Sequence, residues 1–404
     1  MSIPLFDLSR QSPSLREEME KAVHRVLAHQ QFILGSEVTS FEEESAAFLG
    51  NGVHSIGVSS GTDALLAFLM ALEIGVGDAV ITTPYTFFAT AGCIHRVGAE
   101  ILFCDIEPQS YMMDPEKLRH LLSSLKRDTK GILRTAQGNR VRMIIPIHLF
   151  GTCCDMETIG ALAKEYGLSV IEDAAQVMGT DYPSSQGPIK AGTIADMSYF
   201  SFYPSKNLGA AGDAGLAVCR DPLLAQKVRI IRNHGMEERY YHKVVGGNFR
   251  LDGFQAAILR TKLPHLNEWN AQRRTNAYLY KKAFTEAELL NLITLPYEPW
   301  AASNLKDHHI YHQYVVRVEG SASGKYLGVR EKIIAHLNQK GIGHAIYYPV
   351  PLHLQECFAY LGHKKGDFPE SERAALETLA LPIFPELREE EINSVVATIA
   401  EVLT

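Results

Sequence analysis

Apolar positions along this chain recur at two periods. Between Ser12 and Gln30, the residues Leu15, Met19, Val23, Val26 and Leu27 fall close to helical spacing. Ser40-Phe41-Glu42-Glu43 reads as a capping box that opens a helix running to Gly50. Beyond it, short apolar runs alternate with helical ones. Residues 54–58, 79–83, 100–105, 141–147 and 169–172 predict strands, and 62–72, 87–97 and 156–166 predict the helices between them. This alternation predicts βαβ units and a mostly parallel, buried sheet. Two more strand-like runs follow, at 197–202 and 215–219. The polar, Gly-bearing stretches 126–140 and 182–192 read as surface loops.

The texture changes near residue 250. Residues 251–289 form one long helical stretch, interrupted near Pro264. Strands are predicted at 311–318 and 342–348, and helices at 329–340, 371–379 and 389–402. The expected architecture is α/β: a large domain over residues 1–250, with a mixed, mostly parallel sheet. Residues 251–404 would supply a bridging helix and a smaller C-terminal α+β domain. A chain of 404 residues can bury such cores without staples.

Charge and cysteine content narrow the function classes. Lys and Arg number 39 against 46 Asp and Glu, a net charge of −7, so a broadly basic nucleic-acid binder is excluded. The cysteines at 93, 104, 153, 154, 219 and 357 follow no C-x-x-C pattern, and reduced thiols are expected. Cys153 and Cys154, near His148 and Asp155, lack zinc spacing; they read as a strand and turn, and no metal site is expected. His308-His309 reads as loop. The opening residues carry no export signal, and no apolar run approaches the roughly 18 residues of a membrane span. A soluble, cytoplasmic protein with no membrane or nucleic-acid partner is the expectation.

In open α/β sheets, ligands sit beyond the carboxyl ends of the strands. Four segments there carry candidate chemistry. Val58-Ser59-Ser60-Gly61-Thr62-Asp63 leads from a strand into a helix start. Its free N–H groups suit an anion, although an ordinary capped turn reads the same way. Glu172-Asp173-Ala174-Ala175-Gln176 puts two carboxylates at the end of a buried strand. They suit a metal, a general base or the counter-ion of a cationic ring, or equally a helix cap. Lys206 follows an aromatic strand in a Gly-rich loop. A partly apolar site would lower its pKa and let it form a Schiff base, whereas most lysines are simply solvated. Gly246-Gly247-Asn248-Phe249-Arg250-Leu251-Asp252, with Gln255, reads by itself only as a loop and a helix start. Together, an anion cradle, an Asp at a strand end and a Lys downstream are the parts that pyridoxal phosphate chemistry needs.

Five segments carry a family resemblance: Ser60-Gly61-Thr62-Asp63-Ala64, Glu172-Asp173-Ala174-Ala175-Gln176, Ser201-Phe202-Tyr203-Pro204-Ser205-Lys206-Asn207-Leu208-Gly209, Gly247-Asn248-Phe249-Arg250-Leu251-Asp252 and Tyr347-Tyr348-Pro349-Val350-Pro351-Leu352-His353. In this order, they make the chain resemble the DegT-type nucleotide-sugar aminotransferases, within the fold-type I pyridoxal phosphate enzymes. The resemblance implies pyridoxal 5'-phosphate held as a Schiff base on Lys206, with Asp173 on the ring nitrogen and Gln176 on the ring hydroxyl. Phe87 would stack on the ring. Gly61, Thr62 and Ser201 would bind the phosphate, joined by Asn248 from the other subunit of a homodimer with shared active sites. Arg239, Tyr311, His312, Tyr348 and His353 match the sugar-nucleotide side. Relatives that carry His in place of the Lys dehydrate the sugar, so Lys206 implies transamination. The donor would be L-glutamate and the acceptor a keto group of a nucleotide-linked sugar. Lys206-Asn207-Leu208-Gly209 followed by Gly212-Asp213-Ala214-Gly215 is similar to members acting on 3-keto sugars. A 4-keto sugar, a keto-cyclitol or a non-catalytic regulator that kept the fold are the alternatives. Phe249 stands where polar residues are common in the family, which touches substrate contacts and not the cofactor site.

Overall fold

The computed structural model describes residues 2–50 and 52–403, with the side chain of Lys325 left out. Seven strands build the main sheet: β1 (His54–Val58), β2 (Asp78–Thr82), β3 (Glu100–Phe103), β4 (Arg140–Ile144), β5 (Ser169–Asp173), β6 (Met197–Ser201) and β7 (Gly215–Cys219). Their order is β1-β7-β6-β5-β4-β2-β3, and two-residue strands at Lys126–Arg127 and Leu133–Arg134 extend the sheet beside β4. Only β7 runs against its neighbours; the other pairings among the seven are parallel. The carboxyl ends of β1, β5 and β6 therefore meet at one edge, together with the start of β7. The parallel strands are apolar on both faces because helices cover both.

Helices α1 (Pro13–His29), α2 (Ser36–Leu49), α3 (Gly61–Ala71) and α4 (Ala89–Arg96) precede or interleave with the strands. The helical stretch after residue 250 divides into α5 (Gly253–Lys262), a 3-10 turn at Leu263–His265 containing Pro264, and α6 (Leu266–Glu286). A proline removes one helical donor and crowds the preceding turn, which accounts for the break. α5 packs on α1 and α2. A second core gathers α6, Ile3, β8 (Ile293–Thr294), β9 (Tyr314–Val318), α7 (Val329–Gln339), β10 (Thr378–Leu381) and α9 (Glu389–Leu403), while α8 (Pro369–Glu377) packs its Ala374 and Ala375 on the main core.

Five local expectations need correction. α2 starts at Ser36 after Gly35, so Ser40 lies inside the helix. Buried Val38 and Phe41 continue its apolar face, and buried Glu37 pairs with Arg260. Residues 342–348 form no strand: Ile342 and Ala345 make only single bridges, to Ile3 and Ala380. The ladder beside β9 is filled instead by β10, whose residues 378–379 had read as the end of a helix. The 182–192 stretch contains most of a hairpin, Asp181–Ser184 against Gly187–Lys190, and 126–140 contains two short strands. Short polar strands lack the apolar alternation that would reveal them.

The N-terminal segment is fastened to α9 by Arg10, which donates two hydrogen bonds of 2.7 Å to Glu391. That carboxylate is 1% exposed. The Arg10 hydrogen bonds hold its pKa down at about 2, from the usual 4.5. A depressed carboxylate stabilises the fold above its unfolded pKa, and the contribution is lost as pH falls from 4.5 towards 2. Glu391→Gln is expected to cost about 2 kcal/mol at pH 7, read by urea unfolding, and to remove that acid-range loss.

Candidate active site

β5 delivers Asp173 to the sheet edge, and the parallel register sets Tyr199 of β6 directly beside it. Asp173 is 6% exposed. Its Oδ2 accepts from the Tyr199 hydroxyl at 2.5 Å and from the Thr90 hydroxyl of α4 at 2.9 Å; Oδ1 accepts from the Ala175 N–H at 3.2 Å. The carboxylate is thereby fixed in one rotamer with lone pairs to spare. Burial and the neighbouring Asp173 charge push the Tyr199 phenol well above its usual pKa, so it stays a donor. Neither Tyr199 nor Thr90 was expected from sequence, because strand register is not legible there. Tyr199→Phe is expected to destabilise the protein by roughly 1–2 kcal/mol in urea unfolding, since it strips a donor from a buried carboxylate.

Gln176 stands one turn further on. The Phe150 N–H donates to its Oε1 at 2.7 Å, and its Nε2 donates to the Tyr348 hydroxyl at 3.2 Å. Phe87 is 62% exposed and tilts towards Tyr348, with ring centres 6.5 Å apart. Tyr348 thus links Gln176 and Phe87 on the side of the sheet edge where Asp173 ends β5.

Lys206 follows β6 in a half-buried loop. Its ammonium group makes no hydrogen bond or ion pair among the described residues. Burial lowers its pKa from 10.5 to about 8, against the opposing pull of the Asp173 charge. A lysine in that state is a nucleophile near neutral pH.

The cradle lies at the end of β1. Ser60 caps α3 by accepting from the Asp63 N–H, leaving the N–H groups of Gly61 and Thr62 without partners among the described residues. A Cβ on Gly61 would stand 2.9 Å from the Ser201 Cβ, and one on Gly215 would stand 2.3 Å from the Ser60 carbonyl carbon. Glycine at both places is what lets β6, β7 and the start of α3 approach this closely, with Ser201 beside the free N–H groups, an arrangement that suits a small anion. Arg250 bridges Val58, and the Ser59 N–H bonds to the Phe249 carbonyl, so the 248–250 segment runs alongside. Asn248 is exposed there, and its side chain makes no hydrogen bond among the described residues.

The remaining expected substrate residues are dispersed. His312 is buried beside Asn207, next to Lys206. Tyr311 points elsewhere: it stacks on His309 with ring centres 3.9 Å apart and lines a cavity of about 280 Å³ with Glu298 and Arg274. His353 is buried against Phe368 and bonded to Glu372 at 3.1 Å. Arg239 is exposed on a hairpin, over the Tyr240 ring. Among the described residues, no hydrogen bond joins Tyr311, His353 or Arg239 to Asp173 or Lys206.

These residues fit pyridoxal 5'-phosphate. A buried carboxylate, an unpaired low-pKa amine and a glycine-built anion cradle converge on one sheet edge. Known proteins agree with that reading. The crystal structure of S. venezuelae DesV in complex with a ketimine intermediate superposes with a TM-score of 0.85 at 34% identity, covering 99% of this chain and 98% of that one. A protein of Acidithiobacillus ferrooxidans named UDP-N-acetyl-3-dehydro-α-D-glucosamine 3-aminotransferase is 39% identical over 402 residues, 100% of this chain and 98% of its own. A Geobacillus stearothermophilus protein named pleiotropic regulatory protein is 42% identical over 401 residues, 99% and 98% of the two chains. The family model matches residues 13–400, and the chain belongs to the DegT/DnrJ/EryC1/StrS aminotransferase family of pyridoxal phosphate enzymes, with the fold-type I architecture.

Proposed function

We propose that this aminotransferase transfers an amino group from L-glutamate to a 3-keto group of a nucleotide-linked sugar. The observation that carries the chemistry is the unpaired Lys206 amine at the sheet edge that also holds Asp173. The Acidithiobacillus relative, named for a 3-aminotransferase of a UDP-linked sugar, supports the acceptor class.

Bound in this cleft, pyridoxal 5'-phosphate supplies an electron sink that lets a proton leave and return at carbon beside an amine. Gly61, Thr62 and Ser201 would hold its phosphate, and Asp173 would balance the charge on its ring nitrogen. Thr90 and Tyr199, both donating to Oδ2, keep that carboxylate turned. Gln176, tethered by Phe150 and Tyr348, is positioned for the ring hydroxyl, and Phe87 would cover a face. Lys206 accepts and returns the proton, a role for which a neutral amine is required.

The name of the Geobacillus relative favours a second reading, a regulator without catalysis. A protein without this chemistry has no use for Lys206 and Asp173. Colour separates the two, because a Schiff base on Lys206 absorbs near 400 nm, roughly. For the substrate, the aminated form is incubated with a panel of keto-sugar nucleotides and read by mass spectrometry. Amination of the 3-keto members is expected; amination of only 4-keto members, or of none, would sink the assignment.

Among the described residues, no helix is long and apolar enough to cross a membrane. For assembly, we propose a homodimer in which Asn248 reaches the partner's phosphate site. A phosphate needs several convergent donors, and a two-fold axis makes two equal sites. Asn248→Ala and Lys206→Ala, each impaired alone, are then expected to regain activity when mixed and allowed to exchange subunits. One site of the mixed dimer keeps both groups. Exchange without rescue would place Asn248 in its own subunit's site.

A further inference from the structure

The buried polar groups behind Lys206 form a chain whose polarity can be read without ambiguity. Asn270 of α6 donates through Nδ2 to the Met178 carbonyl at 3.2 Å. A carbonyl only accepts, so the Asn270 amide has one orientation, with Oδ1 facing Asn207. Asn207 donates to that Oδ1 at 2.7 Å and to the Ile310 carbonyl at 3.2 Å. Its amide is therefore fixed as well, and its own Oδ1 is left as an acceptor. His312 Nδ1 lies 3.1 Å from that oxygen. Nδ1 must therefore carry a proton.

All three side chains are buried: Asn270 is 1% exposed, Asn207 8% and His312 6%. Burial, then the charges of Lys206 and Arg273, keep the His312 ring neutral. A second buried cation works on the same loop, since Lys262 Nζ donates to the Gly209 carbonyl. Asn207 is covalently next to Lys206, so whatever fixes its side chain fixes the backbone that aims the amine.

We propose that His312 acts through Asn207 as a positioning residue for Lys206, held in the Nδ1–H tautomer by the Asn207–Asn270–Met178 chain, and is not a sugar contact. The inference rests on Lys206 being the working amine. Misplacing a reacting group by about 1 Å can cost on the order of 10²-fold. The loss falls on every step in which Lys206 moves a proton, including those that involve no sugar.

The test uses full-length holoenzyme and three substitutions. Asparagine can present a donor where His312 has Nδ1, whereas glutamine mimics Nε2. His312→Gln and Asn270→Ala are expected to slow the single-turnover half-reaction with L-glutamate by roughly 10- to 100-fold. Both should also weaken the visible circular dichroism of the bound cofactor, which reports how rigidly it is held. His312→Asn is expected to restore both readouts to near the wild-type values. KM for the sugar nucleotide should stay within about twofold in all three. Asn270 lies on α6 behind the loop and guards the test should a His312 variant not fold. The proposal is overturned if the glutamate half-reaction runs at the wild-type rate in His312→Gln or Asn270→Ala. It is also overturned if His312→Gln outperforms His312→Asn, or if only the KM for the sugar nucleotide rises. Absence of any absorbance near 400 nm, roughly, in wild type would instead undo the cofactor reading itself.

Discussion

Lys206→Ala is expected to abolish turnover while making the cofactor-free protein no less stable. The catalytic loss follows from the geometry, since the Lys206 amine lies close enough to Asp173 to feel its charge. A positioned proton carrier contributes roughly 10²–10⁴-fold to a rate, and the covalent role of the amine is lost with it. The stability effect has the opposite sign. Burial holds the Lys206 pKa at about 8, against 10.5 for a free lysine, so the folded state disfavours the charged form. Below pH 8 the amine is charged in both states, and the fold carries the full burial cost. Between about 8 and 10.5, the unfolded chain binds the extra proton, so stability rises with pH. The cost is of the order of 2 kcal/mol for a partly exposed side chain. Lys206→Ala should remove it, giving a flatter unfolding free energy across that pH range. Borohydride reduction of the wild type followed by peptide mapping should find the cofactor on Lys206. A label on another lysine, or residual turnover within tenfold of wild type, would refute the assignment.

What could be read from the sequence followed the strength of each local signal. The βαβ alternation and the runs 156–166 and 215–219 matched the structure because buried parallel strands and amphipathic helices have strong periodicity. The placing of Asp173 at a strand end and of Lys206 in the loop after β6 was legible because those positions follow directly from the strand pattern. Tyr199 and Thr90 were not, since their roles depend on β5–β6 register and on the start of α4. β10 was hidden because its four buried residues continue the apolar pattern of α8. Tyr311 and His312 show the limit of motif reading. They are adjacent in sequence, yet one enters the cavity near Glu298 and the other bonds to Asn207.

The second large effect is expected at Asp173. Asp173→Asn keeps the shape of the side chain but exchanges an anion for an amide, and two consequences follow. The amide Nδ2 or Oδ1 must now face two hydroxyls and one N–H. Tyr199 and Thr90 both donate to the same carboxylate oxygen, and Ala175 N–H donates to the other. An amide has one oxygen, so either the Ala175 N–H loses its acceptor or the hydroxyls must turn away. That mismatch is worth about 1–3 kcal/mol of stability, measurable by urea unfolding. The larger consequence is chemical. A neutral amide cannot hold a proton on the cofactor's ring nitrogen, and the electron sink weakens. The cradle at Gly61, Thr62 and Ser201 is untouched, so the phosphate should still bind and the Lys206 band should still form. The half-reaction with glutamate should slow by at least about 10²-fold, in the range that a preorganised charge contributes to a transition state. Asp173→Glu tests whether the anion alone suffices. Its longer side chain cannot keep the three donors in register, so partial recovery is expected. Unchanged half-reaction rates in Asp173→Asn, with cofactor bound, would take Asp173 out of this role and leave its hydrogen bonds purely structural.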